Sequence, residues 1–325
     1  MKFILNIERR IIIFIVIILF FIGNINSQTT YNLGVYGPVY FNTQYEAVNN
    51  ITSGQVIHSG KTTYMAGNEI ILEPGFEVKL GAEFEATHAI VRNLLTYNIW
   101  SPGTASDKFT KHAQVIINSN ADVVSIQEIK GVSNFHTLTE KSIMNGMMVF
   151  TNNVILDNNK SGIAVMYSPV LDKPTLTYKL MNTPNDGSET KRAYIVAEFI
   201  DFVFVATHFS LNKNHRNEMA NDIINNVLKK TNKPVYIAGD MNEYPLWDWD
   251  SSILRLYNNG FDILNDTLIK TKPPKVLDLV LEYNKNSTRK LLAGGIPSFV
   301  LQQTGWLGVI SDHFPYFVTV KVRNK

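Results

Sequence analysis

Short apolar runs recur along most of the chain, and several of them stop at a polar side chain. Val235 to Ala238 form one such run, bounded by Pro234 and Gly239 and followed by Asp240 and Asn242. Apolar residues flanked by turn formers predict a short buried strand. Leu94 to Tyr97 predict another, ending at Asn98, and Val123 to Ile126 a third, closed by Gln127 and Glu128. Met147 to Phe150 and Ile163 to Tyr167 predict antiparallel strands. Ala193 to Phe199 and Phe202 to Ala206 predict a hairpin that turns at Ile200-Asp201 and ends in Thr207-His208. Val276 to Leu281 hold Asp278 inside a strand, and Phe317 to Val322 finish the chain just after Asp312-His313. Between these runs the apolar spacing becomes helical. Ser106-Asp107 offer an N-cap for a stripe of Phe109, Ala113, Ile116 and Ile117. Asn214 opens a helix with Met219, Ile223, Ile224, Val227 and Leu228 on one face, and a further helix is expected near Ile253 to Tyr257. Many strands, few helices and several hairpins predict an α/β (α+β) fold of mixed sheets covered by helices on their outer faces.

Two stretches at the start have a different texture. Lys2, Arg9 and Arg10 precede an unbroken apolar run from Ile11 to Ile22, then Gly23 and the polar Asn24 to Ser27. A basic region, a short apolar region and a small residue predict a secretory signal over residues 1–27, so an exported, periplasmic or cell-surface protein is expected. The run is short for a bilayer span, which leaves a retained anchor as the lesser alternative. Over residues 28–90, Gly60, Gly67, Gly75 and Gly81 punctuate short β-type runs such as Ile70-Ile71-Leu72, and Phe76, Val78 and Leu80 alternate with Glu77 and Lys79. Regular turns with alternating strands predict small stacked β rungs. Residues 91–325 form the larger domain.

Composition changes this picture modestly. Hydrophobic content of 45% and charged content of 18% in 325 residues describe a globular protein with a substantial core. The chain carries a formal +2; residues 1–27 hold Lys2, Arg9 and Arg10 against Glu8, also +2, so the remainder is formally neutral. That argues against a strongly cationic polymer binder. With no cysteine, disulfides and thiolate zinc sites are excluded.

The polar residues that end the strands carry the candidate chemistry. Residues i and i+2 of an extended segment point to one side, so Asp240 and Asn242 can share a target. A carboxylate and a carboxamide at the mouth of a buried strand suit a hard cation, a water and a phosphate oxygen. Alone, they suit an ordinary turn better, since Asp and Asn are common turn residues. Asp278 lies among Val276, Leu277, Leu279 and Val280 and needs a partner, for which a histidine is the obvious candidate. Asn98, Glu128, His208, Asp240, Asn242, Asp278, Asp312 and His313 together are the set that phosphate chemistry requires. A phosphate diester repels hydroxide, so a cation and imidazolium groups must neutralise its oxygens while an acid prepares water. A histidine held by a carboxylate has its charged form favoured.

Leu95-Thr96-Tyr97-Asn98, Ser125-Ile126-Gln127-Glu128, Ala206-Thr207-His208-Phe209, Gly239-Asp240-Met241-Asn242, Leu277-Asp278-Leu279-Val280 and Ser311-Asp312-His313-Phe314-Pro315 occur in this order across residues 91–325. In this the sequence resembles the endonuclease/exonuclease/phosphatase superfamily of DNase I-like metal-dependent phosphohydrolases. The resemblance implies a four-layer sandwich, two mixed sheets between helices, with the site at one edge. It implies Glu128 as the main carboxylate ligand of Mg²⁺ or Mn²⁺, with Asn98 and Asp312 completing the metal environment. Asp240 would orient or deprotonate the attacking water, with Asn242 holding it and a phosphate oxygen. His313, paired with Asp278, and His208 would stabilise the phosphorane-like transition state, and Arg192 is a further phosphate-facing candidate. The segment Ala66 to Val78 also looks like the short β-stack (coathanger-like) modules of bacterial exported proteins. A spacer, contact with a cell surface or another protein, or a plain appendage are its open roles.

The substrate is less constrained. A nuclease needs basic and aromatic groups around the site. Lys130, His215-Arg216, Trp247, Trp249 and Trp306 are available, although such residues are as often core or solvated surface. Nucleic acid, DNA or RNA, is the leading expectation, acted on by a monomeric phosphodiesterase. A phospholipid, kept open by Trp247 and Trp249, or an inositol or sugar phosphate facing Lys191-Arg192 and Lys270-Thr271-Lys272, remains the alternative. A surface-binding protein with an inert enzyme domain is the third.

Overall fold

The computed structural model describes residues 30–100, 106–130, 134, 136–138, 140, 150–154, 161–181, 192–244, 250–283, 291–302 and 310–324. The predicted signal segment, residues 147–149 of a predicted strand, Lys191, Trp247, Trp249 and Trp306 lie outside them, as does the side chain of Lys130. No helix among the described residues is long and apolar enough to cross a membrane. The described residues divide into two units, one of residues 30–91 with 323–324 and one of residues 92–322.

The first unit is a parallel β-coil. Its strands are β1 (Thr30–Val35), β2 (Pro38–Val39), β3 (Thr43–Ser53), β4 (Val56–Ile57), β5 (Lys61–Ala66), β6 (Glu69–Leu72), β7 (Glu77–Val78) and the first part of β8 (Glu83–Asn98). They build three parallel stacks. The first half of β3 pairs with β5 and β5 with β8, β1 and β6 flank the second half of β3, and β2, β4 and β7 form the third. One turn of the coil takes 18 residues from Val35 to Ser53 (53 − 35) and 22 from Thr62 to Phe84 (84 − 62). The glycines of the sequence therefore mark turns inside a longer repeat. Leu33, Val35, Ala47, Ile51, Tyr64 and Ala66 fill the interior, with Phe76 and Phe84 against Tyr64. The buried Tyr64 hydroxyl meets Ser53 Oγ and Gln55 Oε1, both at 2.6 Å.

The second unit packs two mixed sheets face to face. To the latter part of β8 it adds β9 (Val123–Lys130), β10 (Phe150–Val154), β11 (Ser161–Tyr167), β12 (Thr175–Leu180), β13 (Ala193–Glu198), β14 (Val203–His208), β15 (Val235–Asp240), β16 (Phe261–Ile263), β17 (Asp278–Tyr283), β18 (Leu291–Gly295) and β19 (Tyr316–Asn324). One sheet runs β18-β19-β8-β9-β11-β10 and the other β12-β13-β14-β15-β17-β16. Its helices include α1 (Ser106–Asn118), α2 (Lys213–Asn226), α3 (Ser252–Asn258) and α4 (Ser298–Leu301).

Period-two alternation sorts the strand side chains between two layers. Leu95, Tyr97, Val124 and Ile126 join Phe109, Ala113 and Ile116 of α1 in one outer core. Val205, Val235, Ile237, Leu279 and Leu281 join Met219, Ile223 and Ile224 of α2 and Ile253 and Leu256 of α3 in the other. The opposite faces meet between the sheets, where Ser125 Oγ donates to Ala238 O at 2.8 Å and Phe202 packs edge-on against Tyr236. The four-layer architecture is thus helix, sheet, sheet, helix.

Several boundaries differ from expectation for local reasons. The cap of α2 is Asn212, whose side chain accepts the Asn214 and His215 amides, and Val227 and Leu228 fall beyond the helix end. Asp278 opens β17 rather than lying inside it, because Thr271 Oγ1 takes the Leu277 and Asp278 amides. Of the strand expected over Met147 to Phe150 only Phe150 is described, and it opens β10.

Gly239 shows how closely β14 and β15 approach. A Cβ built there would lie 2.1 Å from Thr207 O and 2.8 Å from Thr207 C, backbone atoms that cannot turn aside. We expect Gly239→Ala to destabilise the protein by roughly 1–3 kcal/mol, the usual range for overpacking. The urea midpoint should fall with the m-value unchanged; an unaltered midpoint would show that the two strands separate freely.

Candidate active site

Three adjacent strands place site residues in one row. His208 pairs in register with Asp240 across β14 and β15, and Asp240 with Asp278 across β15 and β17. By parity they continue the inner-face series Phe204-Ala206-His208, Tyr236-Ala238-Asp240 and Asp278-Val280-Glu282. From the facing sheet, Asn98 ends β8 on the inner face beside Thr96.

Glu128 reaches the same pocket through a break in the ladder. Gly162 pairs with Ile129 and Ile163 with Gln127, so Glu128 is an extra residue with no partner on β11. Its φ is 60°, in the left-handed region. In an unbroken strand Glu128 would share the outward face of Ile126. The bulge turns it inward, as bulges beside active sites do. Asn242, just past β15, also has positive φ, 48°. Such conformations in non-glycine residues are uncommon, and two in one pocket is a concentration typical of working sites.

The side chains then meet closely. Asn98 Nδ2 donates to Glu128 Oε1 at 3.0 Å and to Asp240 Oδ2 at 3.1 Å, and lies 3.5 Å from His313 Nε2. Its Oδ1 accepts the Trp100 amide at 3.0 Å, so the pocket sees the amide nitrogen of Asn98. Asp240 Oδ1 accepts the Asn242 amide at 2.9 Å, and Asp240 Oδ2 lies 3.6 Å from His208 Nε2 and 3.7 Å from His313 Nε2. Asn242 Nδ2 is 3.0 Å from both His208 Nε2 and Phe209 O. His313 Nδ1 meets Asp278 Oδ2 at 2.7 Å, the histidine partner expected for the buried Asp278. Ser311 fastens the last turn, donating to Asn98 O at 2.8 Å and accepting the His313 amide at 3.0 Å. Asp312 Oδ2 pairs with Lys272 Nζ at 2.8 Å.

Electrostatics sort these groups into roles. Burial opposes the charge of Asp240, yet His208 and His313 together with the Asn242 and Asn98 hydrogen bonds hold its carboxyl below the usual range. Burial also opposes charge on His313, but Asp278 and Asp240 raise it to about 9. Asp278 itself is pushed up by burial against the pull of His313. Glu128 is pushed up as well, first by burial and then by Asp240 and Asp312, against the Asn98 hydrogen bond. Lys272 is raised because Asp312, Asp240 and Glu128 outweigh its own burial. The site therefore sets a carboxyl held low at Asp240 beside a histidine held high at His313, and on the Glu128 side it gathers an excess of negative charge.

That excess fits a divalent cation. Glu128 and Asp312 present hard oxygen donors, and Asp312 Oδ1 is buried with no hydrogen-bond partner. Glu128, His208 and Asp240 each offer an atom within 4.8 Å of the others, as do Asp240, Asp278 and His313. The second group is committed internally through the 2.7 Å Asp278–His313 contact, which leaves the Glu128 side as the more suitable.

The structure thus brings together Asn98, Glu128, His208, Asp240, Asn242, Asp278, Asp312 and His313. Arg192 is buried immediately before β13, whose Tyr194 pairs with Thr207, next to His208. Sequence reasoning quoted Ser125 and Ser311 within motifs and Thr271 within a basic loop but gave them no role; they hold the site from behind, and such hydrogen bonds carry no periodic signal. It noted Lys272 within a basic loop but not its pairing with Asp312.

Comparison with known proteins accords with this geometry. The model of the Endonuclease/Exonuclease/phosphatase family matches residues 95–313. No curated protein matches the chain in sequence. Among solved structures, an endonuclease/exonuclease/phosphatase from Bacteroides vulgatus is similar with a TM-score of 0.59 at 16% identity, over 72% of this chain and 99% of that one. Truncated Caenorhabditis elegans TDP2 gives 0.53 at 13% identity, over 71% and 97%. D. rerio TDP2 complexed with single strand DNA product gives 0.54 at 13%, over 70% and 98%. With its model spanning both sheets and every residue of the acid–histidine pocket from Asn98 to His313, the chain belongs to the endonuclease/exonuclease/phosphatase family and is a metal-dependent phosphoric ester hydrolase.

Proposed function

We propose that the protein is an exported phosphodiesterase that hydrolyses DNA or RNA, using Mg²⁺ or Mn²⁺. The observation that carries this reading is a single amide. Asn98 Nδ2 lies 3.0 Å from Glu128 and 3.1 Å from Asp240, so the metal-side acid and the base are held one side chain apart. The fold shared with a TDP2 that holds a single-strand DNA product supports nucleic acid as substrate class. The apolar run from Ile11 to Ile22 behind Arg9 and Arg10 supports export.

Glu128 and Asp312 would hold the ion, and Asn98, with its nitrogen toward both acids, would keep Glu128 and Asp240 in place. When bound, the ion neutralises charge on a phosphate oxygen. Asp240, ionised and aimed by the Asn242 amide, accepts the proton of the attacking water. Asn242 and His208 orient that water. His313, kept protonated by Asp278, donates a charged hydrogen bond to the oxygens that gain charge in the transition state. Asn98 as an oxygen ligand would require its amide to turn and give up the Trp100 amide.

A panel of plasmid DNA, RNA, sphingomyelin and inositol phosphates, each with Mg²⁺ and with EDTA, tests the substrate. Nucleic acid should be cut with Mg²⁺ and spared with EDTA; cleavage of lipid alone would overturn this reading. Asp240→Asn and His313→Gln should each lower kcat by roughly 10²–10⁴-fold with circular dichroism unchanged. Activity near the wild-type level in both would remove the assigned roles.

The His313 pairing also sets a pH dependence. A histidine raised in the fold contributes stability that is complete below its unfolded value of 6.5 and is lost as pH rises through about 9. The urea midpoint in EDTA should therefore fall between about pH 6.5 and 9, and His313→Gln should abolish that fall. A wild-type midpoint that stays flat across this interval would show that Asp278 does not hold His313 charged.

A further inference from the structure

Lys272 has no part in the scheme above, yet it is built into the site. Thr271 is fully buried, its carbonyl accepts the Phe314 amide at 2.6 Å, and its Oγ1 accepts the Leu277 and Asp278 amides at 3.0 and 3.1 Å. These bonds tie the residue before Lys272 to the start of β17 and to the residue after His313. On the other side, Lys272 and Lys275 exchange backbone hydrogen bonds at 3.0 and 2.6 Å across Pro273 and Pro274. The Lys272 backbone is thus fixed relative to Asp278 and to the Asp312-His313 turn. Its side chain remains partly exposed, 40% accessible, with the ammonium 2.8 Å from Asp312 Oδ2.

Asp312 is divided by this contact. One oxygen is taken by an ammonium. The other is buried, has no hydrogen-bond partner and lies 3.7 Å from His313 Nε2. A half-exposed pair of this kind is weak and readily exchanged. A divalent ion at the Glu128–Asp312 side would repel an ammonium on the same carboxylate. A lysine head rides on a flexible four-carbon stem, so it can leave without moving the anchored backbone. The groups nearby that could receive it are acids already partnered, whereas an incoming phosphate brings free anionic oxygens to the same mouth.

We propose that Lys272 is a phosphate-binding residue of this site: its ammonium holds Asp312 while the ion is absent and passes to a substrate phosphate oxygen once the ion takes that carboxylate. The proposal rests on the metal-dependent phosphodiesterase reading and adds to it a cation that serves in turn as stand-in and as substrate ligand. No covalent step is involved; one ion pair is exchanged for another.

The test uses the full chain as wild type, Lys272→Met and Lys272→Arg. Mn²⁺ affinity is measured by electron paramagnetic resonance without substrate, and KM for bis(4-nitrophenyl) phosphate by initial rates at saturating Mn²⁺. Lys272→Met should bind Mn²⁺ about tenfold more tightly, since a neighbouring positive charge is gone. It should also raise KM about tenfold, and Lys272→Arg should return both values toward wild type. Lys272→Gln carries the same two expectations and covers a poorly folding methionine variant. A wild type that binds Mn²⁺ and turns over, beside variants with unchanged Mn²⁺ affinity or unchanged KM, overturns the role of Lys272 alone. A wild type that binds no Mn²⁺ overturns it together with the metal-dependent reading.

Discussion

Four carboxylates, those of Glu128, Asp240, Asp278 and Asp312, converge on one rim of the two-sheet domain, with Asp240 and Asp278 essentially without solvent. Ionised acids in such surroundings repel one another and lose hydration, so each needs a specific compensation or it takes up a proton. Asp278 is compensated by His313, Asp240 by two histidines and two hydrogen bonds, and Asp312 by Lys272. Glu128 receives the Asn98 amide, and its carboxyl is still pushed up. The pocket is therefore balanced on the Asp240 side and short of positive charge on the Glu128 side. That asymmetry suits the Glu128 side to a cation and keeps the Asp240 carboxyl below its usual range.

The fold meets this constraint by simple means. Alternation along β14, β15 and β17 sends His208, Asp240 and Asp278 to the inner face in a single row, with no loop rearrangement needed. The facing sheet requires a correction, because Gln127 occupies the inner position and Glu128 the outer one. The bulge at Glu128 supplies it at the expense of a left-handed backbone. Gln127 remains inside, donating to Ser125 Oγ at 2.6 Å, and Ser125 reaches across to Ala238 O. The strand that carries the bulged Glu128 is thereby fastened to the strand that carries Asp240.

Much of this was legible in the sequence because the relevant signals are local. A run such as Val235 to Ala238 reports burial, and the polar residue that ends it reports the mouth of the sheet. Asp278, charged among aliphatic residues, announced the need for a partner, and His313 fills that need. What the residues alone could not convey depends on register. Nothing in Ser125-Ile126-Gln127-Glu128 distinguishes a bulged strand from a regular one, since both keep the same composition. The orientation of the Asn98 amide depends on Trp100 N–H, and the Lys272–Asp312 contact joins positions forty residues apart (312 − 272) through a loop without periodic pattern. In the first unit the glycine spacing signalled turns, while the coil length of 18 to 22 residues emerged only when strands from successive turns were paired.

The comparisons show how far sequence can vary under this fold. Structures with 13–16% identity share the fold over about 70% of this chain, so the fold does not require most of its individual side chains. Cores tolerate this when volume and pattern are kept, because hydrophobic packing is non-directional. A polar seam has no such freedom. Thr96, Gln127, Ser125 and Ala238 O form a buried chain in which removing one member leaves a neighbour without its hydrogen bond, at about 1–3 kcal/mol each. That seam adjoins both acids, since Gln127 precedes Glu128 and Ala238 lies two residues before Asp240. Aliphatic exchange in the outer cores is therefore expected to shift stability, whereas exchange along the seam is expected to alter the separation of Glu128 and Asp240.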